Sequence, residues 1–335
     1  MNASNAPVNE AGVATRSKTK SLSLGFIMDP IESINTKKDS TFAMMLEAQR
    51  RGWRVFYLQQ QDLFADDGVV SARMQQLRLM DNPEHWFETG EECVQPLHEL
   101  DAVLMRKDPP FDMEYIYSTY LLELAEKQGL LVVNKPASVR AANEKLFTAW
   151  FPQFSPETRV TRDMNRIREF LAQHQHIVVK PLDGMGGKMI FQVHADDPNT
   201  GVILETITDY GKHTVMAQRF LPEFKHGDKR ILLIDGIPFP QGLARIPAQG
   251  ESRGNLAAGA SAEGRDLTER EREICAEIGP VLKRMGLMFV GLDVIGDYVT
   301  EINVTSPTCI RELDSLYDAN IAGLLMDAIV TNLAA

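Results

Sequence analysis

The chain has 335 residues, of which 44% are hydrophobic and 24% charged, and its formal net charge is −11. This length is more than one hydrophobic core usually serves, so two or three packed units are expected. An excess of acidic side chains argues against a nucleic-acid partner, because such binding depends on neutralising phosphates. The apolar runs are too short to span a bilayer, and three widely spaced cysteines match no disulfide framework or zinc motif. We therefore expect a cytoplasmic globular protein with no membrane partner.

The N-terminal part alternates strands with helices. Residues 1–20 are polar and lack the apolar core of a secretory signal, so we interpret them as a disordered tail outside the fold. Strands are predicted at 22–28, 53–58, 101–106 and 130–134, and helices at 41–51 and 113–128. This alternation predicts a mainly parallel, Rossmann-like α/β unit over residues 21–140, with functional loops at the carboxyl ends of its strands.

The rest of the chain has a mixed α+β pattern. A short helix is predicted at 144–151, before the strand His176–Pro181, and a longer helix at 268–285. Turn dipeptides at 235–236 and 296–297 each indicate a hairpin of antiparallel strands. We interpret this part as a two-lobed clamp, with a central lobe at 141–220 and a C-terminal lobe at 221–335.

Three side chains that carry oxygen atoms are grouped near the last hairpin. Glu301 and Asn303 are two residues apart, so on a strand both leave the same face. A three-residue loop at 296–298 would bring Asp293 directly opposite Glu301. Two carboxylates this close repel each other unless a cation lies between them. Mg²⁺ takes few protein oxygens and completes its shell with phosphate and water. Because the flanking residues are strongly apolar, we favour a metal site over a solvated hairpin.

A glycine-rich turn follows the strand that ends near Lys180. Its glycines, Gly184, Gly186 and Gly187, would let backbone N–H groups approach phosphate oxygens closely. The spacing is not that of a P-loop, and many glycine turns bind nothing, so the strand before the turn carries much of the argument. Lys145 is a second candidate phosphate contact, the alternative being an exposed helix lysine.

A long segment of small residues, 245–265, contains four glycines and a central Arg253. This composition suits a lid, placed at 246–264, that closes over a reaction and excludes water. An unstructured loop explains the composition equally well. Arg230, just before the apolar run ILLI, supplies a second guanidinium, and such groups suit a transferring phosphoryl group or a tetrahedral oxyanion.

Taken together, these stretches closely resemble the prokaryotic glutathione synthetase family of ATP-grasp ligases. The resemblance rests on segments that include MDPIESINTKKDSTF, VNKPASVRAANEKLF, KPLDGMGG, GDKRILLIDG, RGNLAAG and GLDVIGDYVTEINVTSPTCIRE. They run from about Leu22 to the C-terminus and include substrate loops as well as the nucleotide site. The resemblance implies a Rossmann-like (pre-ATP-grasp) domain, a two-lobed α+β ATP-grasp clamp and a homotetramer.

The resemblance also implies a reaction, in which ATP phosphorylates γ-glutamylcysteine at one carboxylate and glycine then displaces phosphate to give glutathione and ADP. Two Mg²⁺ ions, or Mn²⁺ in their place, would be held by Asp293, Glu301 and Asn303. The other roles that it implies are ATP contacts at Lys145, Lys180, Gly184, Gly186, Gly187, Gln218, Leu221 and Asp228, stabilisation of the reacting groups by Arg230 and Arg253, and substrate contacts at Lys38, Asp39, Arg106, Arg245, Ser306 and Thr308. Arg219 departs from the family pattern, which leaves its role open.

Two other interpretations remain. Another carboxylate–amine ligase of the same fold, such as a D-alanyl-D-alanine or glutamate ligase, would differ in the loops after Met28 and Met105 and in the segment 306–312. A non-catalytic ATP-binding module could dispense with its metal carboxylates and its lid arginine. This chain keeps candidates for both.

Overall fold

The computed structural model describes residues 21–248 and 261–334. The strands of its N-terminal sheet are β1 (Ser23–Ile27), β2 (Arg54–Leu58), β3 (Leu63–Asp66), β4 (Val69–Leu79), β5 (Phe87–Pro96), β6 (Ala102–Met105) and β7 (Leu131–Val133). They run in the order β3-β4-β2-β1-β6-β7, with β5 paired to β4. The four predicted strands, now β1, β2, β6 and β7, pair in parallel, which confirms the parallel centre of this sheet.

An antiparallel extension of this sheet was not predicted. Strands β3, β4 and β5 pair antiparallel with their neighbours and extend the sheet beyond β2. The helices of this unit are α1 (Ser40–Arg50), α2 (Met113–Lys127) and α3 (Pro136–Ala141). Asp39 caps α1, because its Oδ1 accepts a hydrogen bond from the Phe42 N–H at 2.6 Å.

The middle of the chain contains β8 (Thr158–Thr161), α4 (Met164–His174), β9 (His176–Pro181), β10 (Phe191–His194), α5 (Thr200–Thr208) and β11 (Val215–Arg219). Its four strands form an antiparallel sheet in the order β10-β9-β11-β8. The predicted helix at 144–151 is wrong in type and length. Residues Leu146–Trp150 form a 3-10 turn instead, and Pro152, which disfavours helical backbone at the preceding Phe151, limits its length.

The strands of the third sheet and the helices around it are β12 (Asp228–Ile234), β13 (Ile237–Pro238), β14 (Gln241–Ile246), β15 (Ser261–Asp266), α6 (Glu269–Arg284), β16 (Phe289–Ile295), β17 (Tyr298–Asn303), α7 (Ile310–Tyr317) and α8 (Ile321–Leu333). This sheet is antiparallel, in the order β15-β14-β12-β16-β17, with β13 paired to β12. Both predicted hairpins and the predicted helix before β16 are confirmed.

The first and third sheets share buried cores, whereas the middle sheet has a separate one. Helix α8 packs against α1, and Arg51 of the first unit forms an ion pair with Asp327 at 2.6 Å. Asn134, after β7, bonds the backbone of Phe289 and Val304. The bonds of Asn134 place the carboxyl end of β7 beside the end of β17. The limits 21–140, 141–220 and 221–335 as domains stay predictions.

The described parts of the chain contain no helix with both the length and the apolar content needed to cross a bilayer.

Candidate active site

A cavity of about 380 Å³ lies where the middle sheet faces the third sheet. It is lined by strands of both sheets, the glycine turn after β9 and the loop after β17. Among the described residues, five basic and five acidic side chains line the cavity. The basic ones are Lys145, Lys180, Arg219, Arg230 and Arg245, and the acidic ones are Asp108, Glu144, Asp228, Asp293 and Glu301. The cavity is therefore close to neutral before a ligand binds, and its shape is that of a ligand site between lobes.

The hairpin of β16 and β17 has the predicted pairing at Asp293, but its loop has two residues, Gly296 and Asp297, and not the predicted three. Asp293 lies opposite Glu301, and Asn303 lies opposite Gly291. The Asn303 Nδ2 donates to Asp293 Oδ2 at 3.2 Å and to the Gly291 carbonyl at 3.2 Å, which leaves the amide oxygen of Asn303 as an acceptor. A register shift follows Asp293 on β16. Three oxygen-bearing side chains thus share one wall of the cavity.

Two arginines enclose the Asp293 carboxylate. Arg230 donates to both of its oxygens, from Nε at 2.5 Å and from Nη2 at 3.0 Å, and Arg245 Nη2 lies 3.0 Å from Oδ2. Burial by itself would raise the pKa of Asp293, but the two guanidinium groups outweigh burial and hold this pKa well below its usual range. A Cβ on Gly291 would lie 2.8 Å from Arg230 Cδ, so a glycine is needed there.

Asp228 lies on the other side of Arg245. Its Oδ2 accepts from Arg245 Nη2 at 2.6 Å, whereas its Oδ1 is buried and has no hydrogen-bond partner in the part of the chain that the structure describes. Burial raises the pKa of Asp228 to about 6, although Arg245 opposes that rise. The unpartnered Oδ1 is suited to accept a hydrogen bond from a ligand hydroxyl.

Two lysines lie close to Glu301 in the cavity. Lys145 Nζ lies 2.8 Å from Glu301 Oε1 and 2.5 Å from the Gly184 carbonyl, and Lys180 Nζ donates to the Thr300 carbonyl at 3.0 Å. Burial lowers the pKa of Lys180 to about 8, with Glu301 acting in the opposite direction. Two ammonium groups on one side of the cavity form a place for an anionic ligand.

The glycine turn adopts a conformation that side chains rarely allow. Gly186 and Gly187 have φ angles of 63° and 76°, and both residues line the cavity. Gly184 does not line it, but its carbonyl accepts from Lys145. The turn therefore brings backbone close to the space between Lys145 and Lys180.

The hinge between the middle and third sheets lines the far end of the cavity. Gln218 is buried and its side chain donates to Thr158, whereas no described residue accepts from the N–H of Leu221. Arg219 Nε pairs with Glu157 at 2.6 Å, and its guanidinium lies 5.4 Å from the Tyr298 ring centroid. Arg219 thus borders the cavity with a guanidinium that already has partners in Glu157 and Tyr298.

The residues predicted to contact the dipeptide fall into two groups. Ser306 and Thr308 line the cavity, as does Arg245. Asp39 serves as the cap of α1, Lys38 is exposed, and Arg106 is buried, donating to Thr41 Oγ1 at 3.1 Å and to the Pro307 carbonyl at 2.8 Å. In this structure Arg106 binds the backbone of the loop after β17 and does not line the cavity. Arg253 and lid residues 249–260 lie outside the described residues.

Comparison with known proteins assigns the chain to a family. Residues 22–140 match the model of the prokaryotic glutathione synthetase N-terminal domain, and residues 144–318 match that of the prokaryotic glutathione synthetase ATP-grasp domain. The chain belongs to the prokaryotic glutathione synthetase family. The glutathione synthetase of Shewanella oneidensis is 59% identical to this family member, over 93% of this chain and 99% of the relative. That of Pseudomonas aeruginosa is also 59% identical, over 94% and 99%.

Solved structures show that this member of the glutathione synthetase family has the ATP-grasp fold. D-cycloserine synthetase DcsG matches with a TM-score of 0.66 and 16% identity, over 93% of this chain and 99% of that one. The ATP-grasp ligase PsnB, complexed with minimal precursor, Mg and ADP, matches with a TM-score of 0.59 and 16% identity, over 93% and 98%. At such identities the likeness concerns the fold alone.

Sequence reasoning missed Glu144 as a residue of this site. Its carboxylate borders the cavity and accepts hydrogen bonds from Val304 and Thr305. Burial raises the pKa of Glu144, and nearby Glu301 adds to that rise against the hydrogen bonds from Thr305 and Val304. The only signal in the sequence is its position beside Lys145, because its partners are 160 residues further along the chain.

The donor set fits a metal–nucleotide complex in this family member. Asp293 and Glu301 supply carboxylates and Asn303 an amide oxygen, while the described residues contain no group of three or more His, Cys, Asp or Glu that could hold a metal alone. Mg²⁺ at nucleotide sites takes only one or two carboxylates and completes its shell with phosphate and water. A triphosphate would also make a neutral cavity strongly negative, so bound cations are expected.

Proposed function

We propose that this protein joins γ-glutamylcysteine to glycine at the expense of ATP, with glutathione, ADP and phosphate as products. One observation carries the proposal: the buried cluster of Asp293 with Arg230 and Arg245 lies in the same cavity as Lys145, Lys180 and the glycine turn. Such an arrangement suits transfer of a phosphoryl group to a carboxylate, and the chain's family supports the choice of substrates.

The reaction needs an activated acyl group. A carboxylate is a poor electrophile because its leaving group would be oxide. Attack of one carboxylate oxygen on the γ-phosphorus of ATP releases ADP and forms an acyl phosphate; the glycine amine then attacks the acyl carbon, loses a proton and expels phosphate. Lys145 and Lys180 would bind the phosphates, while Arg230 and Arg245 would stabilise the negative charge that develops on the transferring group and on the tetrahedral intermediate.

The nucleotide would extend from the lysines to the hinge. Gln218 and Leu221 would contact adenine, and the unpartnered Oδ1 of Asp228 would accept from a ribose hydroxyl. Asp293, Glu301 and Asn303 would hold Mg²⁺, for which we propose two ions per site, with Mn²⁺ as a substitute. When bound, these ions would neutralise the phosphate charges during the transfer. The dipeptide would bind near Ser306 and Thr308, at the end of the cavity supported by Arg106.

The assay follows from the reaction. Purified protein with Mg²⁺ should release phosphate from ATP only when both γ-glutamylcysteine and glycine are present, and mass spectrometry should find glutathione in equal amount. Equal phosphate release with another dipeptide, with D-alanine or with glutamate would contradict the substrate assignment. Nucleotide binding without turnover under any of these conditions would favour a non-catalytic ATP-binding module.

Assembly and location are further parts of the proposal. We propose a homotetramer, and one face of α2 supports self-association, since Met113, Tyr117 and Tyr120 are each about half exposed there. Light scattering coupled to size exclusion would give about four times the 37.5 kDa chain mass. A cytoplasmic location is proposed because both ATP and a thiol substrate in its reduced form are available there.

A further inference from the structure

Three consecutive residues before the 3-10 turn each contact a different part of the cavity wall. Asn143 Nδ2 donates to the Leu182 carbonyl at 3.0 Å, in the glycine turn. Lys145 reaches Glu301 on β17, as described above. Glu144, between them, turns towards the loop that follows β17. The short segment 143–145 therefore connects three parts of the cavity wall: the glycine turn, strand β17 and the loop after β17.

The Glu144 carboxylate is the acceptor for the first residues after β17. Its Oε1 accepts from the N–H of Val304 at 2.8 Å, from the N–H of Thr305 at 2.9 Å and from Thr305 Oγ1 at 2.8 Å. The Glu144 backbone carbonyl accepts from the Ile302 N–H at 2.8 Å. Val304 and Thr305 are both buried, so their N–H groups would lose hydrogen bonds to protein without gaining water if the carboxylate were absent.

Two other buried side chains donate hydrogen bonds to backbone carbonyls of the same loop. Asn134 donates to the Val304 carbonyl at 2.8 Å, and Arg106 donates to the Pro307 carbonyl at 2.8 Å. Ser306 and Thr308, which line the cavity, lie within this loop. Its backbone position is thus set by side chains that come from more than 150 residues earlier in the chain. Glu144 alone of the three also borders the cavity.

We propose that Glu144 is a positioning residue for the substrate loop, defined as residues 304–308. It fixes the loop that carries Ser306 and Thr308 and thereby sets the affinity for the dipeptide, while Lys145 beside it serves the nucleotide. The three hydrogen bonds require an acceptor at this position and do not require a negative charge. The kinetic consequence rests on the proposed function, whereas the structural consequence does not.

The structural consequence is tested by amide hydrogen exchange on the full chain without substrates. In Glu144→Ala the exchange of the Val304 and Thr305 amides should rise at least about tenfold, the scale expected for losing a charge-assisted hydrogen bond. In Glu144→Gln, whose side-chain oxygen still accepts, exchange should stay within about threefold of the wild type. Unchanged exchange in Glu144→Ala would overturn the proposal, whatever the protein's activity.

The kinetic consequence separates positioning from general loss of structure. Glu144→Ala should raise the KM for γ-glutamylcysteine about tenfold while the KM for ATP changes less than about threefold, and Glu144→Gln should restore most of the dipeptide affinity. Thr305→Val, which removes only the hydroxyl bond, should raise the same KM by a smaller factor and serves if Glu144→Ala does not fold.

The control is Glu47→Ala, which removes another buried carboxylate, one that pairs with Arg50 at the end of α1 and with the next residue, Arg51. It should lower thermal stability without a selective change in either KM. Equal increases in both KM values for Glu144→Ala, or a Glu144→Gln variant as impaired as the alanine variant, would overturn the positioning role. A wild-type protein without ligase activity would instead refute the proposed function and leave the exchange result as an independent test.

Discussion

Replacing Asp293 with asparagine tests the buried charge cluster at the centre of the site. The carboxylate accepts two hydrogen bonds from Arg230, at 2.5 and 3.0 Å, and one from Arg245 at 3.0 Å. Asparagine keeps the shape but offers one acceptor oxygen, so its NH₂ group would face a guanidinium donor. Breaking a buried ion pair in this way costs about 3–5 kcal/mol. We expect Asp293→Asn to lower the free energy of unfolding by that amount at pH 7.

The assay is equilibrium unfolding in urea followed by circular dichroism, with Asp327→Asn as the control. Asp327 pairs with Arg51 at 2.6 Å but is 67% exposed, so the same chemical change should cost about 1 kcal/mol or less. Because the folded pKa of Asp293 lies below its unfolded value, its stabilisation is present above about pH 4 and is lost as the pH falls further. Below that pH, the difference in the free energy of unfolding between the wild type and Asp293→Asn should become smaller. If Asp293→Asn and Asp327→Asn lowered the free energy of unfolding equally at pH 7, this reasoning would be refuted.

Three further changes give distinct outcomes. Burial lowers the pKa of Lys180 to about 8, so the ammonium loses its proton above that pH and kcat/KM for ATP should fall. Lys180→Arg keeps its charge, so its pH–rate profile should lack this fall. Gly291→Ala would place a Cβ 2.8 Å from Arg230 Cδ, and thermal unfolding should report a loss of about 1–3 kcal/mol together with lower turnover. Arg219→Ala removes an ion pair with the exposed Glu157 at the border of the cavity, so steady-state assays should find turnover within about twofold of wild type. A larger loss would mean that Arg219 contacts the ligand.

The hairpin that carries Asp293 and Glu301 could be predicted from the sequence because its information is local. Two strands with apolar flanks meet at Gly296-Asp297, which locates the hairpin. The two-residue turn alone would place Asp293 opposite Thr300, and the irregularity after Asp293, which the sequence did not indicate, brings Asp293 opposite Glu301. The parallel strands of the first unit were predictable for a similar reason, since each apolar run ends at residues that stop a strand. The contact between these two regions depends on distant packing that no local pattern contains.

The antiparallel strands β3 to β5 were missed for a physical reason. In β4 the buried side chains alternate through Val70, Ala72 and Met74, but the alternation then shifts to Leu77 and Leu79. The shift coincides with an irregularity in the pairing with β5 between Gln75 and Leu77. A bulge of this kind breaks the period of two on which strand prediction depends.

In the site, too, the sequence could not predict contacts between residues that are far apart along the chain. Glycines, lysines and carboxylates could be proposed from chemistry, but Glu144 could be recognised only once Val304 and Thr305 were placed beside it. Arg106 could be predicted to be near the substrate loop, whereas its hydrogen bond to Pro307 required the fold. Residue type predicts what a group can do, and the packing of distant segments decides which partner it meets.

Transfer of labelled oxygen tests the central claim most directly, because it follows the carboxylate oxygen through the reaction. γ-Glutamylcysteine labelled with ¹⁸O in its cysteinyl carboxylate would be incubated with the protein, ATP, Mg²⁺ and glycine, and the released phosphate analysed by mass spectrometry. Attack of that carboxylate on ATP predicts one ¹⁸O atom in each phosphate formed with glutathione. Unlabelled phosphate would contradict an acyl phosphate and the ligase account built on this cavity.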